Sequence, residues 1–175
     1  MDVKQLEPGR YVVYGTNGIC RVEELKMMSF ITGEKKSPYY VLSPESNPDS
    51  KIFVPADNDK LMGKLRQLMT KPEIDELLLG LPGKEVVWQS DRRLRNEEFH
   101  DILSKGVHQE LLLMVSCIYM KKRELDQLGK NLPTTDQNIL KSAEKLIEEE
   151  FAFVLEIRPE EVSAYIRDLL HEKQE

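Results

Sequence analysis

The sequence predicts an α+β protein in which a small antiparallel β-barrel is followed by an all-α helical bundle. Three observations carry this. Gly9-Arg10-Tyr11-Val12-Val13-Tyr14 and Ile19-Cys20-Arg21-Val22 are β-branched and aromatic runs on either side of Asn17-Gly18, a pair that tolerates the positive φ of a tight hairpin. Further strand-like pieces, Pro38 to Leu42 and Lys51 to Pro55, are separated by the turn-rich segments 32–36 and 43–48. Near residue 60 the apolar residues change from strand-like alternation to spacings of three and four. The change of period divides the chain into a barrel over residues 1–62 and a helical domain over residues 68–175.

The helices follow from their start and stop signals. Thr70-Lys71-Pro72-Glu73 reads as a capping box, with Pro72 harmless in a first turn whose N–H groups have no helical partner. That helix runs through Ile74, Leu77 and Leu78 and stops at Gly80. Ser90-Asp91 caps a second, closed by Lys105-Gly106, and a longer one extends from Val107 to about Leu128 before Gly129. Thr134 or Thr135 caps the next, through Leu155, and Pro159 opens a final helix to about His171.

At 175 residues the chain can bury about 70% of its unfolded surface, so no disulfide or metal staple is required. Cys20 and Cys117 have neither CxxC nor Cys/His ligand spacing and read as buried thiols of a reducing compartment. No 18-residue apolar run is present and residues 1–5 have no signal-like apolar stretch, which points to a cytoplasmic protein without membrane contact. The net charge is −6, but residues 131–175 hold 5 basic and 11 acidic groups while residues 84–130 hold 9 and 8. The middle segment is therefore left free to present a basic face.

Catalytic patterns are missing: there is no GxSxG, HExxH, Walker A or GxGxxG sequence. His100, His108 and His171 fall on predicted helices without metal-ligand spacing, and His100 and His108 read as exposed or boundary residues. No enzyme activity, cofactor or metal is expected. What stands out instead is Trp88, the single tryptophan, just ahead of a helix that begins Arg92-Arg93-Leu94-Arg95. An exposed aromatic beside several arginines can grip a phosphate backbone and press a flat apolar ring against bases. The competing structural reading is that Trp88 packs in the core and the arginines are surface charges. Lys121-Lys122-Arg123 and Lys130 add little, since a helix C-terminus favours basic residues in any case.

These residues carry a resemblance. The chain resembles the CarD/CdnL family of bacterial transcription regulators, whose N-terminal Tudor-like (SH3-like) barrel is shared with the polymerase-interacting domain of transcription-repair coupling factor. The barrel signature stands as Gly9 to Tyr14 with Gly18, then Thr32-Gly33-Glu34, Tyr40-Val41-Leu42 and Ile52-Phe53-Val54-Pro55. The helical half matches through Trp88, Arg93, Arg95 and the stretch Ala143 to Ala152. The chain departs from the family at Gly15-Thr16-Asn17, where Pro and His are common, and at Leu94, where an aromatic is usual. Residues 158–175 lie beyond the resemblance.

The resemblance implies a monomeric factor that binds the β subunit of RNA polymerase through an exposed barrel edge and touches promoter DNA through its helical domain. An edge strand offers unpaired N–H and C=O groups, so strand addition can supply affinity with little demand on side chains. The expected edges are Met27 to Ile31 and Lys51 to Val54, with Ser29, Phe30, Lys51, Ile52 and Phe53 as polymerase contacts. Trp88 is expected to wedge into the minor groove at the upstream edge of the open bubble, substantially exposed in the free protein, with Arg92, Arg93 and Arg95 on phosphates. Open complexes would be stabilised with little sequence preference. The alternative is a protein–protein adaptor without DNA contact, in which Trp88 is core.

Overall fold

The computed structural model describes residues 6–172, with side chains described to Leu170, and divides into two compact units that meet at Leu68/Met69. The expected first domain ended at residue 62; the sheet unit runs six residues further because a fifth strand completes it.

The sheet unit contains β1 (Tyr11–Tyr14), β2 (Ile19–Met28), β3 (Ser37–Pro44), β4 (Ile52–Pro55), the single-turn helix α1 (Asp59–Met62) and β5 (Leu65–Arg66). All the pairings are antiparallel, in the order β4-β3-β2-β1-β5. β1 and β2 pair as the apolar pattern requires, with Val12 opposite Cys20. The link between them is a 3-10 turn over Gly15–Asn17, wider than the two-residue Asn17-Gly18 turn read from the sequence, and Gly15 and Gly18 supply the positive φ it needs. Val12, Tyr14, Cys20, Val22, Tyr40, Leu42, Val54 and Leu65 belong to one buried cluster.

The sheet is open. Among the described residues β4 and β5 are its two edges and have no ladder between them, so in place of the closed barrel expected from the sequence the structure has an open five-stranded sheet. Between those edges the chain passes through α1, capped by the Asn58 side chain, which accepts from the Leu61 N–H. Leu61 and Met62 pack on the buried cluster, so apolar side chains cover the core where a further ladder would otherwise do so.

The helical unit comprises α2 (Lys71–Leu79), α3 (Arg92–Lys105), α4 (His108–Gln127), α5 (Thr134–Leu155) and α6 (Val162–Glu172), the last entered through a 3-10 turn at Pro159–Glu161. The Thr70/Glu73 capping box forms as its spacing dictates. Asp91 caps α3, accepting from the Arg93 and Leu94 N–H groups at 2.9 and 3.1 Å, and Gly106 ends it in the left-handed region. Neither expected threonine caps α5; Thr134 is its first residue, after Pro133.

Phe99, Leu111, Met114, Ile118, Ile147 and Phe151 lie at the centre of this unit. His108, read as exposed or boundary, is buried: its Nε2 lies 2.8 Å from the Glu150 carboxylate and its ring stacks on Phe151. The other Glu150 oxygen accepts the Met69 N–H at 2.8 Å, tying the start of the unit to α5. Neither Cys20 nor Cys117 forms a disulfide, and both are buried.

Candidate functional site

Two surfaces contain the residues singled out by the sequence, one in each unit. In the sheet unit, among the described residues, β4 ladders with β3 alone, pairing Ile52 with Leu42, Phe53 with Val41 and Val54 with Tyr40, so its outer side is an edge of the sheet. Alternation sends Val54 into the core and Phe53 to the opposite face, where it is 39% exposed. Phe30, in the loop after β2, is 61% exposed yet anchored: its ring meets Tyr39 at 5.2 Å and Phe53 at 5.5 Å, both edge to face. Such contacts are worth about 0.5–1.5 kcal/mol each beyond area burial, so an exposed loop residue gains a defined place.

Ser29 shapes the same loop by donating its hydroxyl to the Ile31 carbonyl at 2.7 Å. Lys51 forms a charged rim, bonding Ser43 Oγ at 3.2 Å and lying 3.7 Å from Glu23. The chain before β1 still bonds Val22 through Gly9 and Arg10, a bulge follows at Glu23, and beyond it, among the described residues, β2 pairs with β3 alone, leaving Leu25 and Met27 exposed along that stretch. Of the five expected contacts, Phe30 and Phe53 thus present apolar surface and Lys51 charge. Ser29 serves the turn. Ile52 is half-buried and its side chain packs on the core, because it shares a face with Leu42. Tyr39 and Leu25 were missed, since only the strand register shows which face and edge they join.

The second surface surrounds Trp88. Its ring is half-buried, against the expectation of substantial exposure, and packs on Phe99 at 6.1 Å within the helical unit. The Arg95 guanidinium lies 4.2 Å from the indole centre and Lys121 Nζ 5.9 Å. Arg95, expected on phosphate, is only 4% exposed and committed: Nε and Nη2 donate to the two Asp136 oxygens at 3.0 Å each, and Nη1 donates to the Gln89 carbonyl at 2.8 Å. That guanidinium is not available to a ligand. Arg92 and Arg93 are exposed on the first turn of α3, Arg92 donating to Thr135 at 3.2 Å and Arg93 pairing with Glu97 at 2.8 Å. The partner that takes Arg95 out of the exposed set, Asp136, could not be found by local pattern.

Beside Trp88 lies a groove of about 310 Å³ between residues 84–88 and one face of α4, with Leu113, Cys117 and Met120 on its apolar wall and Lys121 and Glu124 on its rim. Burial pushes the Cys117 thiol up in pKa, which keeps it protonated and weakly nucleophilic at neutral pH. Among the described residues no group of three or more His, Cys, Asp or Glu side chains could hold a metal, and no helix is long and apolar enough to cross a membrane.

A small antiparallel sheet with a free edge and an exposed aromatic cluster defines an interaction module. The comparison with known families makes it particular: residues 6–68 match the family described as the CarD-like/TRCF RID domain. The sheet unit therefore carries an RNA polymerase-interacting domain of that kind, and the match ends where the unit ends. No curated protein matches the chain.

Proposed function

We propose that this protein is a transcription regulator, with no enzyme activity of its own, that binds the β subunit of RNA polymerase through the β4 edge and the Phe30/Phe53 cluster. It works as a monomer in the cytoplasm, where the polymerase is, and the sheet unit curls in the Tudor-like manner of the family. The observation that carries this reading is the family match over residues 6–68, which coincides with the unit bearing the free edge. The helical unit contacts promoter DNA at the bubble edge through Trp88, Arg92 and Arg93, and thereby modulates open-complex stability. Support for that half is the placement of two exposed arginines on the helix that follows a tryptophan with accessible surface.

Tethering makes weak DNA contact sufficient. Two exposed arginines on a chain of net charge −6 give no more than nonspecific affinity, about 10⁻⁴ to 10⁻⁶ M at physiological salt. A polymerase-bound sheet unit raises the local concentration to roughly millimolar, enough to fill such a site.

The test is capture of purified polymerase by the full chain and by its Phe53→Asp variant, with crosslinking of the helical unit to promoter DNA in the same complexes. The reading requires loss of capture in the variant and DNA crosslinks in the wild type. An adaptor without DNA contact is the second reading, and the packing of Trp88 against Phe99 and Arg95 favours it. Polymerase capture without DNA crosslinks would select it.

A further inference from the structure

The segment that carries Trp88, residues 84–90, belongs to no helix or strand, yet its indole is held between α3 and α4. The groove beside it offers space of about 310 Å³, so close packing on every side does not explain why the ring stays where it is. Phe99 meets one edge of the ring and Lys121 approaches it, but the side chain that fixes both its face and the adjoining backbone is Arg95. The Arg95 guanidinium covers the indole face and, through the same plane, grips the carbonyl of Gln89, the next residue in the chain. Its two remaining forked contacts run to Asp136, which is fully buried in the first turn of α5. A bidentate guanidinium–carboxylate pair fixes orientation as well as distance, and a carboxylate is favoured at a helix N-terminus.

Stability alone is a poor account of this pair. Desolvating both ions offsets most of their attraction, and replacement of such a pair by apolar residues is often neutral or stabilising. What it uniquely supplies is geometry. We infer that Arg95 and Asp136 are positioning residues for Trp88: together they set the plane of the indole and the path of residues 84–90 against α3, and without them the ring relaxes into the adjoining groove. The consequence for promoter DNA rests on the proposed reading of Trp88 as the contacting side chain; the positioning itself does not.

Trp88 is the only tryptophan, so its fluorescence reports this site in the full-length protein. The double variant Arg95→Met/Asp136→Leu removes the grip and leaves no unpaired buried charge, which keeps the fold where a single Asp136→Asn substitution can lose it. Its thermal midpoint should stay near that of wild type while Trp88 emission shifts to longer wavelength, acrylamide quenching rises and indole anisotropy falls. Asp136→Glu alone, which keeps the ion pair with Arg95, should hold the anisotropy between that of the double variant and wild type. A folded double variant with wild-type emission, quenching and anisotropy overturns the inference. Open-complex lifetime with polymerase and promoter is measured in parallel. A mobile indole with an unchanged lifetime would uphold the positioning role and count against DNA contact by Trp88, whereas a shortened lifetime upholds both.

Discussion

The aromatic residues of both units were expected as contacts, Trp88 with a core reading beside it, and the structure treats them oppositely. Phe30 and Phe53 lean on one another at the rim of an open sheet, with one face of the pair left to solvent. Trp88 is built into a core, with Phe99 at its edge and a buried guanidinium on its face. The difference teaches what each surface can do without rearrangement. A sheet edge presents its free N–H and C=O groups and its apolar rim at once, whereas a packed indole can offer only the part its neighbours leave uncovered. Preorganisation is thus of two kinds here: an exposed surface held by edge-to-face contacts, and a half-buried one held by an ion pair.

Mutation can break this contrast, and the largest effect belongs to the ion pair. Asp136→Ala should cost the helical unit about 3–5 kcal/mol, because it leaves the Arg95 charge buried without its partner. Urea unfolding followed by Trp88 fluorescence measures it, and a loss below 1 kcal/mol would mean that Arg95 reaches water. Next comes Trp88→Ala. Full burial of a tryptophan is worth about 3–5 kcal/mol on truncation, so a half-buried ring should cost roughly 2 kcal/mol. The exposed wedge expected from the sequence alone would instead leave stability unchanged, so far-UV circular dichroism in urea discriminates the two.

Phe30→Ala reverses the pattern. Removing an exposed ring should shift stability by no more than about 0.5–1 kcal/mol. Polymerase affinity should fall tenfold or more, equivalent to about 1.4 kcal/mol, in a titration against purified polymerase. Equal loss of stability and affinity would remove the distinction between the two surfaces.

The smallest effect is one of pH. The Tyr165 hydroxyl of α6 bonds the Asp75 carboxylate of α2, and burial together with that carboxylate pushes its pKa from 10 up to about 12. The folded state therefore favours the protonated phenol. Its contribution is complete below pH 10 and is lost as the pH rises from 10 towards 12. Tyr165→Phe should flatten that part of the stability profile and leave the profile near neutrality unaltered in shape.

Much of the fold was legible because its signals are local. The Thr70/Glu73 box, the Asp91 cap and the Gly80 and Gly106 stops each act within one helical turn, and the alternation of Tyr11 to Tyr14 lies within one strand. The candidate site was legible only in part. Phe30, Phe53, Arg92 and Arg93, named from residue type and position, are exposed. Which face Ile52 takes was not legible, because a one-residue step along a strand reverses the side and only its pairing with Leu42 settles which.

By itself, then, the sequence determined the order and type of the elements other than α1 and β5, the change from sheet to helix, and the identity of the first unit as a polymerase-interacting domain. Only the tertiary structure decided that the sheet stays open, with β5 joining β1 through Val13 and Arg66 and α1 covering the core between the edges. It alone decided that Arg95 faces inward, by supplying Asp136 from 41 residues away. The physical reason is the range of the forces involved. Propensity and capping act over a few neighbouring residues, whereas burial of a charge depends on a partner that arrives only when distant helices pack.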